Sequence, residues 1–390
     1  MHKVTTRERR ARLGVRHGLV VPATDPVAAT RSMLALHSSD PVTVYLSVWA
    51  RVPGFQVEDL ERALYSDRSL VRMYGMRRTL WVVQSDTVPL VHNSTTKDLG
   101  ERERKRTAKL VEQGGVTDDG ASWLEKVIPE VLETIEEHGP MLTRDVTRQL
   151  GHLNGTIEFY NQAGKLQGST GVLSRVILQL SMESRVVRSQ PAGTWVSGQY
   201  RWASMPGWLG ASIPEISSQK ASAELLRRWL WSFGPGTETD LKWWTGWNLT
   251  QIQKTIEDIG AVEVELDEGT GYLLADDIDS PPQPEPWVAF LPSLDPTTMG
   301  WKERDWYLGS HGDALFDRNG NAGPTVWVDG RVAGDWAQRV DGEIVYEVLE
   351  DVGSEAKTEI EKTAASLQDW FGDTVATPRF RSAHHRALTS

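Results

Sequence analysis

Cysteine is missing from all 390 residues, which excludes disulfides, thiolate metal sites and a cysteine nucleophile together. No apolar run approaches the roughly 20 residues that a membrane-crossing helix needs. The N-terminus is charged and lacks the apolar core of an export signal. There is no phosphate-binding glycine loop of the Walker kind, and no signature of the common RNA-binding modules. His384 and His385 adjoin, but no carboxylate or third histidine stands near them at ligand spacing, so no metal and no cofactor is expected. These absences fit a soluble, cytoplasmic protein of bacterial type.

What is present points to several domains and one unusual charge distribution. A chain of this length is too long for one ordinary domain, and its 39% apolar residues suffice for a sizeable core. The formal net charge of −11 argues against a nucleic-acid binder as an average. Residues 1–112, however, carry 19 Lys and Arg against 12 Asp and Glu, a net of +7, while the remainder is at −18. Such asymmetry marks a polyanion-binding face on an acidic body, unless solvated helices such as Glu101–Lys109 merely inflate the count.

A pattern of helices followed by a hairpin recurs. In residues 1–112, helical segments near Thr6–His17, after Asp25-Pro26, after Pro41 and at Val57–Tyr65 precede the basic hairpin Leu70–Val83, which turns at Gly75. In residues 113–203, the amphipathic stretch Ala121–Glu137, a short helix Arg144–Leu150 and Gly171–Met182 precede strands expected at Arg185–Ser189 and Thr194–Val196. In residues 204–280, Ala221–Phe233, Glu238–Trp244 and Thr250–Ile259 precede Val262–Leu266 and Tyr272–Ala275, whose acidic turn suits contact with protein rather than DNA. The Pro-rich linker Asp276–Pro286 leads into residues 281–390, which continue in short β runs, with Asp329-Gly330 and Asp341-Gly342 as turn signals and one helix at Ser354–Phe371. Val375–Phe380 reads as a last strand. The expected fold class is α+β: three tandem winged-helix domains followed by a C-terminal β-barrel-like domain.

The most informative stretch runs L-H-S-S-D-P from Leu36, W-A-R at Trp49–Arg51, and L-V-R-M-Y-G-M-R-R-T-L from Leu70; L-P-S-L-D-P-T-T-M-G-W follows at Leu291–Trp301. These residues, with the order of the domains, resemble the AlkZ/YcaQ family of winged-helix DNA glycosylases over nearly the whole chain. The resemblance implies hydrolysis of the N-glycosidic bond of alkylated or bulky purine adducts, and in some members the unhooking of interstrand crosslinks. It implies double-stranded DNA bearing alkylated purines as partner, a monomer, and a nucleoid-associated place in a bacterial cytoplasm. The family's catalytic motif is Gln-x-Gln or Gln-x-Asp, and the matching positions here are His37 and Ser39, so both motif residues depart.

That departure is chemically workable. A cationic alkylated purine is already a good leaving group, so an enzyme needs mainly to place a water beside a developing oxocarbenium ion. His37 can do this through a neutral ring nitrogen, or as a weak general base near pH 7; Ser39 can hold the water's second position, and Asp40 can stabilise the cation. Against this, a lone histidine at a helix end is more often a capping or packing group, and Ser38, Ser39 and Asp40 before Pro41 make a good helix cap. Arg7 and Arg10 on the first helix, and Arg72, Arg77, Arg78 and Thr79 on the hairpin, are candidate phosphate contacts; Arg318, Asn319 and Asn321 form either a DNA-probing loop or a tight corner. Tyr45, Trp49, Met73 and Tyr74 line a base pocket or belong to the core. No lysine lies in the motif, which speaks against a Schiff-base lyase and for a monofunctional enzyme. The alternative is a catalytically inactive DNA-binding or damage-sensing protein, with a transcriptional role further behind.

Overall fold

The structure, a computed structural model, describes residues 2–161 and 163–390. The chain begins with β1 (His2–Lys3), α1 (Thr6–Arg16), α2 (Pro26–Ser32), β2 (Leu36–His37), α3 (Pro41–Trp49) and α4 (Val57–Glu61). The antiparallel hairpin β3 (Leu70–Tyr74) and β4 (Leu80–Gln84) follows, then α5 (Val88–Val91), which runs through a π-helical turn into α6 (Lys97–Gln113). Both early helices start as the caps dictate. Asp25 accepts from the amides of Val27 and Ala28, Asp40 from that of Val42, and each is followed by proline in the first turn.

The next stretch holds α7 (Gly120–His138), β5 (Met141–Leu142), α8 (Thr143–Gln149), β6 (Thr156–Tyr160), β7 (Leu166–Gly171), α9 (Val172–Met182), β8 (Val186–Pro191), β9 (Tyr200–Ser204) and α10 (Met205–Leu209). The strand expected at Thr194–Val196 is instead part of the connection, and β9 lies four residues later. The β8–β9 ladder runs on through a register shift to the pair Pro191 and Tyr200, so the Pro-Ala-Gly turn only opens a longer connection, residues 192–199. The β6–β7 hairpin was not foreseen, although its strands flank a turn held by the Asn161 side chain, which accepts from the amides of Ala163 and Lys165.

Then come α11 (Ser218–Phe233), α12 (Glu238–Thr245), α13 (Leu249–Asp258), β10 (Val262–Leu266) and β11 (Gly269–Leu273), close to expectation. The acidic hairpin faces protein: β1 pairs in parallel with β10, Thr6 donates to Asp267, and Arg9 pairs with Glu268. Three three-stranded sheets result, in the orders β2-β4-β3, β5-β9-β8 and β1-β10-β11, the last completed by β1 from the first stretch.

The last stretch comprises β12 (Val288–Leu291), α14 (Asp305–Leu308), α15 (Gly312–Leu315), β13 (Thr325–Val328), β14 (Arg331–Gln338), β15 (Ile344–Val348), α16 (Gly353–Phe371) and α17 (Ala383–Leu388). The barrel expected here is not found among the described residues. The strands form one open antiparallel sheet, β12-β13-β14-β15, and α16 packs against both edge strands. The expected closing strand, Val375–Phe380, is irregular; Pro378 has no amide to give to a ladder.

The core is unevenly shared. Residues from α7, α8, α9 and their strands make their own apolar cluster around Leu124, Val131, Val176 and Leu180. Most of the remaining core is continuous from α2 and α3 through α11 to the C-terminal sheet, with Trp229 and Trp327 fully buried in it. Tyr45 and Met73 belong to this core, which settles their packing role.

Candidate active site

The loop at His37–Asp40 is fixed at the edge of a sheet. β2 pairs antiparallel with β4, placing Leu36 opposite Val82 and His37 opposite Trp81, and the Ser38 amide donates to the Leu80 carbonyl at 2.8 Å. The imidazole lies against the Trp81 ring, with centroids 4.7 Å apart. Burial, reinforced by the Arg77 charge, pushes the His37 pKa down to about 3. The ring is therefore neutral at pH 7. Its Nδ1 accepts from the Ser39 amide at 3.4 Å, which assigns the proton to Nε2. A general base at neutral pH needs a pKa near 7, so that version of the His37 role is set aside; a hydrogen-bonding role remains open to it.

Asp40 is both cap and buried carboxylate. One oxygen accepts from Val42 at 3.2 Å and the other from the Arg379 amide at 2.7 Å. Burial raises its pKa, and those two amides work against the rise. The Arg379 guanidinium donates to the Ser39 carbonyl at 3.3 Å, so the C-terminal segment crosses directly over the loop. Sequence reading missed Arg379, since no local signal ties residue 379 to residue 40.

Arg72 is buried rather than displayed. Its Nε donates to the Ser38 hydroxyl at 2.8 Å, one Nη to the Tyr65 hydroxyl at 3.1 Å, and its guanidinium lies 4.6 Å from the centre of the Tyr200 ring. Arg77 and Arg78 occupy the turn of the hairpin, both with positive φ (55° and 61°), an uncommon backbone for side chains of that size. This turn is seated within the fold. Arg77 stacks on Trp243 of α12 at 4.1 Å, and Arg78 pairs with Glu103 of α6 at 2.8 Å, a carboxylate that also holds Arg175. Thr79 closes the turn by donating to the Met76 carbonyl.

The other candidates divide by exposure. Arg7 is exposed and donates to Gln283; Arg10 gives two hydrogen bonds to the Trp306 carbonyl. Their neighbours Arg9 and Arg12 are buried against Glu268, Glu8 and Asp277, and Arg16 pairs with Asp277. Much of the basic charge of α1 is thereby neutralised inside the molecule, which the charge count could not show. Arg318 and Asn319 are exposed, whereas the Asn321 side chain is bonded to Asp317 within the turn. Among the described residues no group of three His, Asp or Glu side chains is placed to hold a metal, and no helix is long and apolar enough to cross a membrane.

Comparison with known proteins gives this geometry a family. Among solved structures, the Streptomyces sahachiroi DNA glycosylase AlkZ matches with a TM-score of 0.74 at 18% identity, covering 96% of this chain and 99% of that one. At that identity the likeness speaks for the fold. No curated protein matches. The model of the family described as "DNA glycosylase AlkZ-like" matches residues 30–370, most of the length, and makes DNA the class of substrate. The chain belongs to the family of AlkZ-like DNA glycosylases.

Proposed function

We propose that this chain is a monofunctional repair glycosylase that hydrolyses the N-glycosidic bond of alkylated or bulky purine adducts in duplex DNA, with His37 and Ser39 at the positions of the family's motif. In an N7- or N3-alkylated purine the base carries the positive charge. As the C1′–N bond breaks, the electron pair goes to the base, which leaves neutral, and the sugar becomes the cation. Water then bonds to C1′ and its proton passes to solvent. The side chains need only orient that water and stabilise the sugar cation.

One observation carries the reading: His37 is neutral, with its Nδ1 engaged by Ser39. A neutral imidazole with a fixed tautomer offers one Nε2–H, much as a glutamine amide offers an N–H. Asp40, held by two amides, acts through its field rather than by contact. We read each three-stranded sheet with its helices as a winged helix, and take the exposed Arg7, Arg77, Arg78, Arg318 and Asn319 as the candidate phosphate contacts of the set. Arg10, Arg72, Thr79 and Asn321 serve mainly the fold that presents them.

The burial of Asp40 favours a second reading, a binding or damage-sensing protein without turnover. Duplex DNA carrying N7-methylguanine, and separately a nitrogen-mustard crosslink, incubated with the protein and scored for abasic sites after alkali, separates the two. Cleavage that disappears in His37→Ala supports the enzyme; intact substrate with retained DNA binding supports the alternative.

A further inference from the structure

Between the N-terminus of α8 and the β8–β9 hairpin lies a cavity of about 350 Å³, lined by Thr143, Arg144, Arg188, Gly198, Tyr200 and Trp202 among others, with no carboxylate in its wall. Arg188 projects from β8 among three aromatic rings: its guanidinium is 5.4 Å from the centre of Trp202, 5.5 Å from Tyr200 and 6.0 Å from Tyr74. It donates to the Tyr74 hydroxyl at 3.4 Å, and its buried Nε has no hydrogen-bond partner among the described residues. Arg72 lies over the same Tyr200 ring with a buried Nη2 in the same condition. Arg379 reaches the rim, where its guanidinium fills the space that a side chain at Gly198 would need.

Elsewhere in this chain buried arginines meet carboxylates: Arg9 with Glu268, Arg12 with Glu8, Arg51 with Asp295 and Arg175 with Glu103. Here Arg72 and Arg188 have no carboxylate partner among the described residues, and Arg379, whose charge reaches Asp40, adds a third cation. Burial, and repulsion from Arg72 and Arg379, work against the charge on Arg188, partly offset by the surrounding rings. An arrangement of that kind is costly unless an anion enters it. The pocket is also tied to the His37–Asp40 loop on two sides, through Arg72 on the Ser38 hydroxyl and Arg379 on the Ser39 carbonyl.

We propose that this pocket is a phosphate subsite in which Arg144 and Arg188, with Arg379 at the rim, hold one phosphodiester of the DNA beside the His37 loop. The inference rests on the glycosylase reading only in taking DNA as the ligand. Bidentate guanidinium contacts suit a phosphodiester, and they set position rather than sequence preference. The pocket is lined by residues of the second stretch of the chain, so that stretch would supply a backbone contact separate from those of the β3–β4 hairpin.

The test is equilibrium binding of a fluorescent duplex between 50 and 200 mM salt, for the wild type, Arg144→Gln and Arg188→Gln. Loss of one phosphate contact lowers the slope of log K against log salt by about 0.9 and weakens binding several-fold. Arg144 is exposed, so its substitution leaves the fold intact and decides the matter even if Arg188→Gln fails to melt cooperatively. Wild-type slope and affinity in Arg144→Gln, and in Arg188→Gln if it folds, overturn the subsite while leaving the glycosylase reading standing. A wild type that shows no salt-dependent DNA binding overturns both.

Discussion

Arg51 and Asp295, 244 residues apart in sequence, form a two-point ion pair closed off from solvent, with Nη1–Oδ2 at 2.9 Å and Nη2–Oδ1 at 2.8 Å. The same carboxylate accepts from Ser47, and Arg51 also donates to Thr297 and to the His17 carbonyl. Two stretches that carry the family likeness, Trp49–Arg51 and Leu291–Trp301, thus meet at a single buried joint between α3 and the C-terminal sheet. Removing one partner leaves the other charged and buried, at a cost of roughly 3–5 kcal/mol. Asp295→Ala should therefore lower the urea midpoint far more than Asp86→Ala, which removes an exposed carboxylate. Equal midpoints would show that the joint contributes little.

His37→Gln and His37→Ala should part company. If the imidazole works by hydrogen bonding, the glutamine variant retains glycosylase activity to within about tenfold, whereas alanine loses about 10²-fold or more, the lower range for a positioned catalytic group. Single-turnover rates on N7-methylguanine DNA read this directly. Equal losses in both variants would point to packing against Trp81 as the role of the ring.

Acid should destabilise the fold through buried neutral histidines. His37 and His385 have folded-state values pushed down to about 3 and about 4, His37 by burial and the Arg77 charge, His385 by burial and neighbouring Arg381 and Arg386. Their contribution is complete above the unfolded value near 6.5 and is lost as pH falls toward those folded values, at up to about 1.4 kcal/mol per pH unit for each. Asp335 works in the opposite sense. Burial raises it to about 7 despite His384, so its contribution is present below about pH 4 and is lost as pH rises toward 7. Urea midpoints from pH 7.5 to 5 should fall less steeply in His385→Gln than in the wild type, and more steeply in Asp335→Asn.

Glu103 should be worth more to stability than either arginine on the rim of its cluster. It is buried and accepts from Arg175 at 2.7 Å and Arg78 at 2.8 Å, with Arg106 at 3.7 Å. Glu103→Gln leaves the buried Arg175 uncompensated, at about 3 kcal/mol, whereas Arg106→Gln should change stability by under about 1 kcal/mol. Denaturant titration of the two variants tests the ordering.

Local physics was legible in the sequence where a signal was local. The Asp-Pro helix starts, the strand Val262–Leu266 and the β3–β4 hairpin around Gly75 fall where caps, alternation and turn residues put them. Signals that depend on distant partners were not legible. Basic α1 looked like a DNA-facing helix because Glu268 and Asp277, which neutralise it, lie more than 250 residues away. His37 could be singled out by its position in the loop, but its protonation state follows from burial under a fold that no short window describes. The β1 strand is two residues long and has no pattern of its own; it exists only because the edge of β10 accepts it.

That last pairing has a kinetic side. His2 lies beside Val264 and the Val4 amide bonds to the Glu265 carbonyl, so residues 2–4 meet their partners only after some 260 more have been added. Contacts of such sequence separation form late. During synthesis, α1 then waits with Arg9 unpaired and Arg12 held only by Glu8 of its own helix until Glu268 and Asp277 emerge, and the segments between have to settle first. The first helix is thereby fastened last, by partners that emerge long after it.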